Sequence, residues 1–225
     1  MRPALRFNQR KLRALTHTAH KWVGLTLGLL FALLGLTGSL LVFYPELDLA
    51  FNPQRAASQP ATITAYAPIV ETLRLSEPAS PGTWRIELPT ADNAPINARY
   101  YKPAETAHRA FAPLIITLDP ATLRVTSQRF WGNDVFTWLY NLHYSLLLEE
   151  DGKILLGIAS LPLILLLISG LYLWWPAPGK WIGALSIKSG AAWKRRIYDL
   201  HAKPGVYSLL LVGTLTATGL LLVVP

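Results

Sequence analysis

Apolar residues gather in blocks along this chain. Three windows, 22–45, 154–175 and 204–225, contain no Asp, Glu, Lys or Arg, and each holds at least 20 residues. About 20 helical residues cross a hydrocarbon core of ~30 Å, so the pattern predicts three transmembrane helices. The segment between the first two windows has a finer texture. Ala65, Ile69 and Leu73 recur at i, i+4 and i+8, which predicts a helix over 64–75. Strand-like runs follow at 83–88, 96–101, 114–118 and 123–130, with Asp119-Pro120 seeding a turn between the last two. Residues 131–148 place Phe136, Tyr140 and Tyr144 at helical spacing and read as an amphipathic interfacial helix, ended by the acidic 149–153. The expected fold is a mainly α membrane protein: three transmembrane helices, with a small α+β domain at 46–130 between the first and second.

The first window follows a basic stretch, as a signal peptide would. Its apolar run exceeds the roughly 7–15 residues of an h-region, and its exit at Leu40–Pro45 lacks a small-x-small cleavage pattern. It reads as a permanent anchor.

Charge adds orientation. The chain is 52% hydrophobic and 15% charged, with a net charge of +8. Residues 1–21 carry six Lys/Arg and no acid, and residues 176–203 carry six Lys/Arg against one acid. Residues 46–153 carry nine Lys/Arg against twelve Asp/Glu. The excess thus lies in two segments that a three-span topology puts on one side. The positive-inside rule makes these a cytoplasmic tail (1–21) and a cytoplasmic loop (176–203), with the middle domain outside. This is a topological signal and gives no nucleic-acid footprint. Cysteine is absent, which excludes thiolate haem ligation, iron–sulfur clusters and C-x-x-C-H attachment. No nucleophile–base pair, phosphate-cradling loop or zinc spacing emerges.

The remaining chemistry lies in the histidines. His20-x-x-x-Gly24 leads to Thr37-Gly38, and His201-x-x-x-Gly205 leads to Thr218-Gly219, with 18 residues from histidine to final glycine in both. The second window ends in a related Ser169-Gly170, preceded at a longer interval by His143. On a helical wheel His17, His20, Gly24, Gly28, Gly35 and Gly38 fall within an arc of roughly 80°. Glycines at such spacing leave a groove for another helix or for a flat ligand. His20 and His201 fall on the same side at matching depth, as the axial pair of a b-type haem would. Lys21, Arg195, Arg196 and Lys203 lie nearby and could pair with its propionates. Pro204 suggests that the third regular helix begins close to that residue. His17 is a surface residue or a substitute ligand one turn earlier. His143 could serve a second haem, with His108, a second protomer or an open position opposite it. The blander alternative keeps the histidines as interfacial side chains and the glycines as helix contacts.

The stretch "AHKWVGLTLGLLFALLGLTGSLLVFYPELD", with "FTWLYNLHYSLLL", "GKILLGIASLPLILLLISGLYLWWP" and "DLHAKPGVYSLLLVGTLTATGLLL", resembles the PepSY-associated transmembrane family of bacterial inner-membrane proteins. "ITLDPATLRV" is similar to a PepSY-type domain whose pattern usually has Gly where Leu123 stands. The resemblance implies haem b, one or two per chain, with His20, His143 and His201 matching the family's helix-associated histidines. It also implies electron transfer across the membrane to a periplasmic acceptor, with a ferric siderophore as one candidate. A cytoplasmic flavoprotein or quinol would be the donor. Larger members have four spans, so a homodimer or an additional membrane subunit is an expected partner besides lipid. The rival function is a non-redox adaptor or siderophore-handling accessory protein whose outer domain binds a partner.

Overall fold

The computed structural model describes residues 9–77, 82–188 and 190–223. It is mainly helical, with one four-stranded antiparallel sheet. Two compact units are present, one comprising residues up to Ala32 together with those from Lys153 onward, the other Leu33–Gly152.

Helix α1 (Gln9–Leu41) and α5 (Glu149–Trp174) are long and apolar enough to cross a membrane. A third crossing exists if α7 (Trp193–Tyr207) and α8 (Leu209–Val223) form one broken span, bent by 62°. Helices suit this role because every backbone group finds its partner inside the segment. Leu25 and Leu29 of α1 and Ile158, Leu165 and Ile168 of α5 are exposed, as side chains facing lipid must be.

Three expectations about boundaries change. Helix α1 begins well before residue 22, so the part of the basic tail from Gln9 on is helical and His17 and His20 lie well inside the helix. Arg, Lys and Gln are good helix formers, and an apolar window cannot register them. The acidic 149–153 does not end the preceding helix, since it forms the first turn of α5. The break falls at Leu146 and Leu147, with φ of 51° and 62°, after α4 (Val135–Ser145). Gly152 permits this corner: a Cβ there would lie 1.7 Å from the Ser145 carbonyl oxygen. Finally, Pro204 does not start a helix but sits inside α7, which together with α6 (Trp181–Leu185) occupies much of the expected 176–203 loop. Ser208 turns its hydroxyl back to the Pro204 carbonyl at 2.8 Å, and the bend follows at that residue, a common consequence of proline and back-bonded serine.

Within α7, Asp199 and Lys203 are paired and almost inaccessible. Asp199 also receives Arg195 Nε at 2.9 Å and the Lys188 amide at 3.3 Å, which ties the 186–188 connection to the helix.

The second unit holds α2 (Tyr44–Phe51), α3 (Ala67–Ser76), the sheet and α4. Strands β1 (Trp84–Glu87), β2 (Ile96–Tyr100), β3 (Leu114–Leu118) and β4 (Val125–Phe130) pair in sequence order. Every residue of β3 is buried, including Thr117, whose hydroxyl donates to Asn97 Oδ1 at 2.9 Å. Ile69 and Leu73 of α3 close over Ile96, Ala98, Leu114, Ile116 and Leu118. The Asp119 turn joins β3 to β4. Its carboxylate accepts from the Ser58 hydroxyl at 2.6 Å, the Thr122 hydroxyl at 2.8 Å and the Ser58 and Ala121 amides. Leu123 closes the turn at φ 57°, in the left-handed region that favours glycine. Asp134 caps α4 by accepting from the amides of Phe136 and Thr137, and it also receives Arg129 Nε at 2.9 Å. Arg129 continues to Asp48, which Arg55 holds at 2.5 Å, so α2 is fastened to β4 by buried charge pairs.

Candidate functional site

Two histidines meet in the first unit. His20 of α1 and His201 of α7 have ring centroids 6.1 Å apart, with planes 75° to each other. Two imidazoles on opposite faces of one metal, each bonded at about 2 Å, have ring centres ~6 Å apart. The separation and the donor set therefore fit bis-histidine ligation. His20 is half-buried, whereas His201 and His17 are exposed.

A third element orients His20. Ser169 of α5 places Oγ 2.9 Å from His20 Nδ1, while its own hydroxyl donates to the Leu166 carbonyl at 3.1 Å. The next residue, Gly170, leaves room for the ring, since a Cβ there would come to 3.2 Å from His20 Cε1. An apolar groove of about 500 Å³ adjoins His20, walled by Leu12, Ala19, Val23, Leu166 and Tyr172. His201 does not line it.

The glycine face of α1 is only partly used. Gly24 faces Leu166 of α5, and Gly28 and Gly35 have no described atom within 4 Å of a built Cβ. The cations expected around a haem divide into two groups. Lys203 is buried in its pair with Asp199, whereas Arg195 meets Asp199 through Nε and stays half exposed. Lys21, which lies 5.3 Å from the Trp22 ring, and Arg196 are exposed.

His143 belongs to the second unit and sits on α4. Thr37 of α1 places Oγ1 3.0 Å from its Nδ1, and Thr37 itself donates to the carbonyls of Leu33 and Leu34 at 2.8 and 3.2 Å. The Leu34 carbonyl also faces the imidazole, but burial dominates and holds its pKa below the ordinary value. Gly38 accommodates the ring, because a Cβ would be 2.8 Å from His143 Cε1. Among the described residues no second imidazole stacks on His143. His108, one candidate for that place, is an exposed turn residue.

The sequence brought the Ser/Thr-Gly pairs to notice as a repeat without giving them a task. Ser169 and Thr37 are imidazole partners, and the available signal was a hydroxyl residue directly before glycine in a helix of a chain with few histidines.

The family model described as PepSY-associated TM region matches residues 17–225. That range includes all four candidate histidines. No curated protein matches the chain.

Proposed function

The chain belongs to the PepSY-associated TM family, and from that premise we propose that it is a b-type haem protein of a bacterial inner membrane, carrying electrons toward a periplasmic acceptor. The observation that carries this reading is the His20–His201 pair, with ring centroids 6.1 Å apart. In the proposed topology there are three spans, α7 and α8 forming the third. The basic N-terminal segment and the 176–203 region are cytoplasmic, and the sheet is periplasmic.

His20 and His201 would hold the iron through neutral nitrogens. Haem b bound there supplies reversible one-electron transfer. The protein's own part is placement. Ser169 fixes the His20 ring, and the apolar walls of the groove keep water from one side of it. Exposed Lys21 and Arg196 offer charge to carboxylates at the membrane surface. His143 offers a single further ligand, so a second haem would need its other ligand from a second copy or another subunit. A cytoplasmic flavoprotein or quinol is the proposed donor, and a ferric siderophore is the acceptor that suits the family.

The test is a dithionite-reduced minus oxidised spectrum of the detergent-purified protein, with a pyridine haemochrome count per chain. His20→Ala and His201→Ala should each abolish the b-type α-band of this haem, and His17→Ala should leave it. A protein that stays colourless after haem is supplied refutes the reading and leaves the non-redox adaptor.

A further inference from the structure

We propose that two of the three Ser/Thr-Gly pairs in the repeat are histidine seats: Ser169-Gly170 positions His20, Thr37-Gly38 positions His143, and each holds its imidazole as the Nδ1–H tautomer with Nε2 bare. The third, Thr218-Gly219, is back-bonded in the same way but has no described atom within 4 Å of a built Cβ. The two seats lie in different units and on different helices, yet they agree atom for atom. In both, the hydroxyl oxygen meets Nδ1, at 2.9 and 3.0 Å. In both, the glycine lies against Cε1, the carbon between the ring nitrogens.

The tautomer follows from counting protons. A serine or threonine hydroxyl has one hydrogen to donate and lone pairs to accept with. In Ser169 the carbonyl within reach of that hydrogen is Leu166's, and in Thr37 the carbonyls are those of Leu33 and Leu34. Such back-bonding is the usual resort of a hydroxyl in an apolar helix. With its hydrogen on a carbonyl the oxygen presents only lone pairs toward the imidazole, which places the ring proton on Nδ1. The proton that would otherwise occupy Nε2 is thereby absent, and that nitrogen's lone pair is available to a metal. The bond made by one ring nitrogen sets what the other can do.

Glycine is required for a separate reason. A side chain there would push the ring off the helix and away from the hydroxyl. Thr26 gives the contrast within α1: its hydroxyl bonds the Trp22 and Val23 carbonyls in the same way, but the next residue is Leu27 and no imidazole is seated on it.

The metal-ligand purpose of the seats rests on the haem reading, whereas the tautomers do not, and the experiment separates the two. Full-length protein prepared without haem, carrying 15N-imidazole histidine, is examined in detergent at about pH 8.5, two units above the ordinary histidine pKa. Two-bond nitrogen–proton correlations identify the protonated nitrogen of each ring. His20→Gln and His143→Gln assign the two signals. Both rings should be Nδ1–H, where water-exposed imidazoles favour Nε2–H. Ser169→Ala should release His20 and Thr37→Ala should release His143, each to the water-favoured tautomer. Ser169→Thr and Thr37→Ser should restore them, and Thr26→Ala should move neither. Wild-type rings protonated at Nε2, or rings unmoved by the alanine variants while the rescues fold normally, would overturn the proposal.

Haem titration supplies the second readout. Ser169→Ala should weaken binding about tenfold, the lower end for loss of a ligand's hydrogen-bond partner. A hydrogen-bonded Nδ1–H makes the imidazole the stronger donor to ferric iron. A tenfold loss confined to the ferric form would raise the midpoint potential by about 59 mV. Unchanged affinity and potential in Ser169→Ala would refute the ligand-positioning role. Absence of haem binding in the wild type would refute the haem reading while the tautomer result still decides the seats.

Discussion

Gly38→Ala separates the stability of helix α1 from the geometry of its histidine seat. A methyl group at residue 38 would lie 2.8 Å from His143 Cε1 and 3.4 Å from both ring nitrogens, whereas ordinary contact begins near 3.4 Å. The ring must retreat by the difference, about 0.6 Å, and a retreat from the helix carries Nδ1 from 3.0 Å to roughly 3.6 Å from Thr37 Oγ1, beyond hydrogen-bond range. A neutral hydrogen bond contributes about 0.5–1.5 kcal/mol net, so the seated conformer should lose a factor of roughly 2–13. The same change removes a glycine from a helix interior, which on its own favours the helix by up to about 1 kcal/mol. Helix content should therefore hold while the seat fails. Gly170→Ala poses a milder version, with the methyl 3.2 Å from His20 Cε1, and Gly28→Ala has no described atom within 4 Å. The assay is the imidazole nitrogen spectrum of haem-free protein, with circular dichroism as the fold control. The expected order of perturbation is Gly38→Ala on His143, then Gly170→Ala on His20, then Gly28→Ala on neither. If Gly38→Ala left the His143 signals unchanged, or Gly28→Ala disturbed them equally, the steric reasoning would be wrong.

The sheet unit gives two further tests. The Ser58 hydroxyl, helped by Thr122 and the Ser58 and Ala121 amides, holds Asp119 down to about 2 despite the opposing effect of burial. A carboxyl depressed below its unfolded value of ~3.9 stabilises fully above that pH and loses the contribution as pH falls toward 2. Asp119→Asn should therefore flatten the urea midpoint of the sheet, read from the amide I β band, between about pH 4 and 2. A wild-type slope preserved in the variant would remove Asp119 as its source. Ile116→Ala opens a hole at the centre of β3, where the side chain is wholly buried. It should cost about 2–5 kcal/mol in the same urea assay, and a loss below ~1 kcal/mol would mean that the cluster is not closed as described.

Where burial follows from sequence period, the fold was legible. The run at 114–118, apolar but for Thr117, became the fully buried β3, while Ile69 and Leu73 at one helical turn's spacing became the inner face of α3. The boundaries of the long helices were not legible, because an apolar window sees lipid contact rather than helicity. Arg10, Lys11 and Arg13 favour a helix as well as leucine does but lie outside the window. Pro204 misled in the other direction. Its missing amide costs one bond in α7, and the chain accepts this with a bend at Ser208 in place of a break at the proline.

The site was half legible for a related reason. Residue type and spacing marked His20 and His201 as a pair, since coordination chemistry limits which side chains can serve. The seats depend on which atoms are left over once the helix has satisfied itself. In a soluble helix Ser169 could share its hydroxyl with water. In α5 it reaches the Leu166 carbonyl, and with its hydrogen there it is left an acceptor toward the ring. The same holds for Thr37. A hydroxyl directly before glycine in a membrane helix thus presents a lone pair beside a gap with no side chain, a combination that suits the Nδ1–H edge of a neutral imidazole. A lysine would not fit it, since its three donors would find only one acceptor. At Ser169-Gly170 and Thr37-Gly38 the pair has a ring against its glycine, while Gly28 and Gly35, which follow no hydroxyl residue, have none among the described residues. Thr218-Gly219 also has none, so the pair makes a seat only where a histidine is brought to it.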